Sequence, residues 1–268
     1  MSADPDTLRA LMAWWREAGV ESAEAQAILE APMLAPPPRA APEAMRQAPR
    51  KPAKPVPASA ADDARKIAAA AASLGDLRAA LEAFDGCALK QTARRLVFSD
   101  GVEGAPVMLV GEAPGREEDA EGKPFVGRSG QLLDRMLGSI GISRAENLFI
   151  SNVIFWRPPG NRPPTQGEIA ACVPFIERAV ALAQPKLLIL CGGFSAQTLL
   201  KRDEGVLRLR GKRLSASWPG LTTPLNAMVM LHPAYLLRRP QDKRLAWMDL
   251  LAFADWADEL GVVRGQGI

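Results

Sequence analysis

A chain of 268 residues, 48% of them apolar, can bury a sizeable core and has room for one large domain or a domain with an appendage. Its 33 basic and 30 acidic residues leave a formal charge of only +3, so a nucleic-acid partner is permitted but any phosphate grip must be local. No run is long and apolar enough to span a bilayer, residues 1–10 lack the plan of a signal peptide, and Cys87, Cys172 and Cys191 are too scattered for a disulfide framework, so a cytoplasmic protein with no membrane contact is expected.

In chain order, Leu8, Leu11, Met12 and Trp15 share one helical face, Gly19 breaks the pattern and Ser22 can cap a second helix, which predicts a small helical pair within an extension over 1–31. The pair either packs on itself or docks a protein partner. Residues 32–60 read as a basic Pro/Ala-rich linker, because the prolines from Pro32 to Pro57 can neither continue a helix nor join a sheet. The remaining 61–268 form the main domain. Within it the Ala-rich run to Phe84 is helical, and Thr92 to Phe98 could be an edge strand.

Apolar runs of strand length then recur at 107–110, 148–154, 187–191 and 227–231, each followed by a loop and a helical pattern. The expected fold class is α/β, a doubly wound, mainly parallel central sheet with helices on both faces. Thr165-Gln166-Gly167-Glu168 reads as a capping box, and Gly192-Gly193 opens the helix after the third run. Residues 207–218 are basic and irregular and predict a small hairpin; helix returns from Lys243 to about Leu260.

The stretch Gly111 to Gly130, GEAPGREEDAEGKPFVGRSG, joins the first run to a helix. In an open α/β sheet that junction faces the crevice where ligands bind. Its glycines let backbone approach a ligand, Phe125 is an aromatic stranded among polar residues, and Glu112, Glu117, Glu118 and Asp119 supply carboxylates. An acidic solvated loop with one Phe folded into the core fits the same residues.

What stands at the carboxyl ends of the runs narrows the choice. Glu112 follows the first, Asn152 ends the second and His232, the only histidine in the chain, follows the fourth. An amide pairs donor with acceptor, an imidazole can hydrogen-bond developing negative charge, and a carboxylate can orient water or stabilise a cation. With Phe125 as a stacking face, such a pocket suits a flat heterocycle with an imide edge, for instance a base taken out of a nucleic-acid stack.

The conjunction of GEAPGREED, GKPFVGRSG, SNVIFWRPPGNRPPT and LHPAYLLRRP resembles the uracil-DNA glycosylases of the family-four type, over roughly residues 80–260. The resemblance implies hydrolysis of the N-glycosidic bond of deoxyuridine in single- or double-stranded DNA, by a monomer acting in base excision repair. It implies that Phe125 stacks on the flipped uracil, Asn152 bonds its imide edge, His232 stabilises the departing anion and Glu112 holds the water or the cationic sugar. Glu118 would crowd the carbon that carries thymine's methyl group, and Ala113 and Gly115 would line the base. Gly127, Arg128 and Ser129 would contact DNA, Leu236 and Leu237 would wedge into the duplex, and Arg238 and Arg239 would hold phosphates, helped by basic clusters at 208–213 and 238–244.

The resemblance also implies a 4Fe-4S cluster on four cysteines, and here the chain departs from it. The four positions read Phe84, Cys87, Trp156 and Cys172, so two ligands are large aromatics and no cofactor or metal is expected. Cys191 reads as a core thiol. A non-catalytic or product-trapping uracil- or DNA-binding protein of the same fold is the alternative function; the loop Pro233 to Lys243 lacks the added His of relatives that bond covalently to the abasic sugar. A nucleotide-using α/β enzyme is disfavoured, since no phosphate-binding glycine motif follows the first run.

Overall fold

The computed structural model describes residues 58–265, which fold around one six-stranded sheet. The expected helical pair lies outside the described residues, and so does the expected linker up to residue 57. Its predicted end is corrected, because Ala58 already stands in a helix.

The strands are β1 (Ser99–Gly101), β2 (Val107–Gly111), β3 (Leu148–Asn152), β4 (Leu187–Cys191), β5 (Arg213–Ala216) and β6 (Leu225–Met230). The helices are α1 (Ala58–Ala70), α2 (Leu74–Ala83), α3 (Arg116–Glu121), α4 (Arg128–Gly138), α5 (Gln166–Ala183), α6 (Gly193–Leu200), α7 (Val206–Leu209), α8 (Pro233–Arg238) and α9 (Lys243–Glu259).

The sheet order is β1-β3-β2-β4-β6-β5, with β3, β2, β4 and β6 mutually parallel and the two edge strands antiparallel. Continuous apolar runs, rather than alternating ones, are what strands covered on both faces require. Every residue of β2, β3 and β4 is buried. Met108, Val110, Phe149, Leu188, Leu190 and Val229 join a core with α1, α2 and α5 on one side. Their neighbours Val107, Leu109, Leu187 and Ile189 are also fully buried and point to the other.

From β2 the chain steps out to β3, then crosses back over β2 to β4. That reversal leaves a crevice beyond the carboxyl end of β2, where an open sheet offers a site. The sheet register sets Gly111 directly opposite Asn152, and the pairing continues past both, with Val153 N–H donating to Gly111 O at 3.0 Å.

Three local expectations are corrected. Residues 92–98 carry no strand; the edge strand is Ser99–Gly101, paired antiparallel with β3. The run 61–84 is two helices, because Ser73 caps α2 by accepting from Asp76 N–H. Residues 207–218 do not close a hairpin on themselves: β5 pairs with the later β6. The capping box at Thr165 and Glu168 is present, and Gly192 is the N-cap of α6. No helix among the described residues is long and apolar enough to cross a membrane.

Candidate active site

The crevice holds a cavity of about 430 Å³ lined by Glu112, Phe125, Asn152 and His232, among others. A larger cleft of about 710 Å³ shares none of its lining residues and mixes charges of both signs, as at Arg95, Asp100 and Lys123. The groups suited to chemistry converge in the smaller one.

Each arrives there from the end of a different element. Glu112 follows β2 directly; burial holds its carboxyl above the usual carboxylate range. Asn152 is the last residue of β3 and only 2% exposed, and its Oδ1 is buried without a hydrogen-bond partner. A buried amide oxygen left unpaired costs about 1–3 kcal/mol, so a ligand donor in the cavity would recover that cost. Gly111 opposite has no room for a side chain: a Cβ there would lie 2.4 Å from Asn152 Oδ1 and 2.6 Å from the Phe125 ring.

His232 follows β6 and caps α8. Its Nδ1 accepts from Ala234 N–H at 3.1 Å, so the neutral ring carries its proton on Nε2. Burial and the Arg238 cation push the imidazole down to about 4, which keeps it neutral at pH 7. The Phe125 ring lies 5.6 Å from it, centroid to centroid, at 30°.

The loop expected over 111–130 contains the short helix α3, and the reason is Glu118. Its Oε2 accepts from Gly115 N–H at 3.0 Å and its Oε1 from Val126 and Gly127 N–H, both at 3.0 Å. One carboxylate thereby ties the turn after Glu112 to the segment that carries Phe125. Asp119 is spent on structure, accepting from Arg94 N–H at 2.8 Å.

A family model described as Uracil DNA glycosylase superfamily matches residues 98–251. The chain belongs to the uracil DNA glycosylase superfamily. It is 36% identical over 173 residues to the type-4 uracil-DNA glycosylase of Pyrobaculum aerophilum, a match covering 63% of this chain and 87% of that one. The same identity over 173 residues relates it to the type-4 enzyme of Archaeoglobus fulgidus, covering 63% and 85%. The type-4 enzyme of Thermotoga maritima is 35% identical over 153 residues, covering 57% and 77%.

Against the residues that the superfamily resemblance assigns, the structure brings Glu112, Ala113, Gly115, Glu118, Phe125, Gly127, Arg128, Ser129, Asn152, His232 and Arg238 to the one cavity. Arg239 and Leu237 are exposed on the neighbouring surface. Leu236 is a correction. It is 0% exposed, the inward face of α8, and cannot enter a duplex, whereas Leu237 is 37% exposed. The basic clusters are also reduced: Arg210 is bonded to Asp249, Arg213 to Glu259, and Lys243 is buried.

The cysteine positions do not fit a four-thiolate cluster. Cys87 and Cys172 lie 4.0 Å apart, sulfur to sulfur, with the Cys172 thiol donating. The other two positions hold buried aromatics: the Phe84 ring sits 5.1 Å from Phe175, and Trp156 meets Phe155 edge-on at 6.4 Å. Cys191 is buried at the end of β4, where burial pushes its thiol far up.

Two features escape a reading of the sequence. Pro158, Asn161 and Arg162 form a wall of the cavity, with Arg162 fixed by a bidentate pair to Glu168 at 2.6 and 2.8 Å. Arg144, outside the cavity, bonds to the carbonyl oxygens of Pro124 and Phe125. Nothing in its neighbourhood, GISRAEN, marks that role; only the fold brings it there.

Proposed function

We propose that the chain is a uracil-DNA glycosylase that hydrolyses the N-glycosidic bond of a flipped-out deoxyuridine, releasing uracil and leaving an abasic site for base excision repair. The observation that carries this reading is the unpartnered Asn152 Oδ1, buried in a cavity with an aromatic face, a neutral imidazole and a carboxylate. Uracil N3–H is the donor that this oxygen lacks. Cytosine offers a lone pair at N3 instead, and a repelled, unsatisfied pair there rejects it.

In this reading Phe125 stacks on the base, while Ala113 and Gly115 line it. Glu118 stands where thymine's methyl group would fall. As the C1′–N1 bond breaks, its electrons pass to the uracil ring, and His232 Nε2–H stabilises the anion by hydrogen bonding without giving up its proton. A ring held near 4 is uncharged at pH 7, so it acts as a neutral hydrogen-bond donor and not as an imidazolium general acid. Glu112, once ionised, steadies the cationic sugar and orients the water whose oxygen bonds to C1′; the water's proton passes to the carboxylate or to solvent.

Gly127, Arg128 and Ser129 at the start of α4, with Arg238 and Arg239, take DNA phosphates, and Leu237 fills the gap left in the stack. The chain works as a monomer on uracil-containing DNA in the cytoplasm. It works without a cluster: Phe84 and Trp156 fill the volume that a cluster would take, in keeping with the density of protein interiors. Purified protein with stoichiometric iron would refute that part. The function itself is tested by chromatography of the free base: uracil released from a uracil-containing oligonucleotide supports the reading, and binding without release favours a non-catalytic reader of uracil.

A further inference from the structure

Phe125 has a φ of +54°, a left-handed backbone that bulky residues rarely adopt and that persists only when its surroundings fix it. Three contacts do so. Glu118 takes the N–H groups just after it, as described above. Gly130 lets the main chain close in, since a Cβ there would lie 1.8 Å from Phe125 O. Arg144 takes the carbonyls: Nη2 donates to Phe125 O at 2.8 Å and Nη1 to Pro124 O at 3.1 Å.

Arg144 is itself held. Its Nη1 also donates to Asp100 at 2.8 Å, and its Nε and Nη2 to Asp134 at 3.0 and 2.8 Å. The planar guanidinium thus links β1, α4 and the Phe125 turn through a geometry that a lysine, with one point of charge, lacks.

We propose that Arg144 is a positioning residue for base recognition: it acts through the main-chain carbonyls of Pro124 and Phe125 to hold the Phe125 ring where it stacks on the flipped base. This rests on the glycosylase reading. Arg144 lies outside the cavity lining and reaches the site through the carbonyls of Pro124 and Phe125, so its effect on the reaction passes through Phe125.

The test is a cycle of Arg144→Met, Phe125→Ala and the double variant, with Arg144→Lys and Asp134→Asn beside them. Inhibition by free uracil and single-turnover excision are measured at temperatures where circular dichroism shows each protein folded. Aromatic stacking on a base accounts for about one to two orders of magnitude in binding. Arg144→Met is expected to weaken uracil inhibition and slow excision by about tenfold, and to add nothing once Phe125 is Ala. Arg144→Lys keeps a cation between Asp100 and Asp134 but should fall with Arg144→Met; Asp134→Asn, which leaves both carbonyl bonds, should match wild type in uracil inhibition.

If wild type is active and Arg144→Met equals it in both measurements, the inference fails alone. If Arg144→Met loses as much in the Phe125→Ala background as in wild type, Arg144 acts by another route and the inference also fails. Wild type that releases no uracil sinks the glycosylase reading, and this inference with it.

Discussion

Gly111 and Asn152 face each other across adjacent parallel strands, and the missing side chain of the first makes the space in which the amide of the second stands. A methyl group at 111 would press on both Asn152 Oδ1 and the Phe125 ring. Gly111→Ala is therefore expected to fold and to bind DNA, yet to lose on the order of a hundredfold in kcat/KM, the usual cost of a small misplacement in a preorganised site. Steady-state excision alongside a melting curve checks it; a loss of folding in place of activity would count against the geometry.

His232 and Glu112 fix the expected pH dependence. An imidazole held near 4 does not titrate between pH 5 and 8, so no limb of the kcat/KM profile belongs to it. Glu112 is held above the usual carboxylate range, so the acid limb should lie above that of a solvated glutamate. Its replacement by Gln should lower activity and remove the limb.

The same histidine links stability to pH. Its folded value is depressed from about 6.5 to about 4, so the unfolded chain binds the proton first. Its contribution is present above 6.5 and is lost as pH falls through 4, at most about 3 kcal/mol. Denaturant titrations from pH 7 to 4 should show a steeper decline for wild type than for His232→Gln.

Adjacent leucines should separate cleanly. Leu236→Ala removes a fully buried side chain and should cost about 2–5 kcal/mol of stability. Leu237→Ala, at an exposed position, should leave the melting curve unchanged and slow excision from duplex more than from single strands.

Much of this arrangement is legible in the sequence, because it depends on local signals. Apolar runs at 107–110 and 187–191 have the length and continuity of strands buried on both faces, and a parallel sheet then brings whatever follows them to one edge. Those signals alone bring Glu112, Asn152 and His232 to one edge, and they line one cavity. What was not legible depends on distant partners. Leu236 and Leu237 look alike in sequence, and only the packing of α8 onto α4 decides which is inside. Arg210 and Arg213 read as a free basic cluster until α9 brings Asp249 and Glu259 against them. Phe84 and Trp156 are visible as departures from a cysteine pattern, but their fit against Phe175 and Phe155 is a property of the fold. Trp156→Ala should accordingly cost about 3–5 kcal/mol, as emptying a filled core site does.

The central claim is that the unpaired oxygen of Asn152 reads the imide edge of a flipped uracil. Its most direct test is a single-uracil oligonucleotide incubated with wild type and with Asn152→Ala, followed by alkaline cleavage at abasic sites. The account predicts strand breaks at uracil with wild type, none above background at cytosine, and loss of the breaks in a variant that still folds and binds DNA. Binding by wild type without breaks, or full activity in Asn152→Ala, would contradict it.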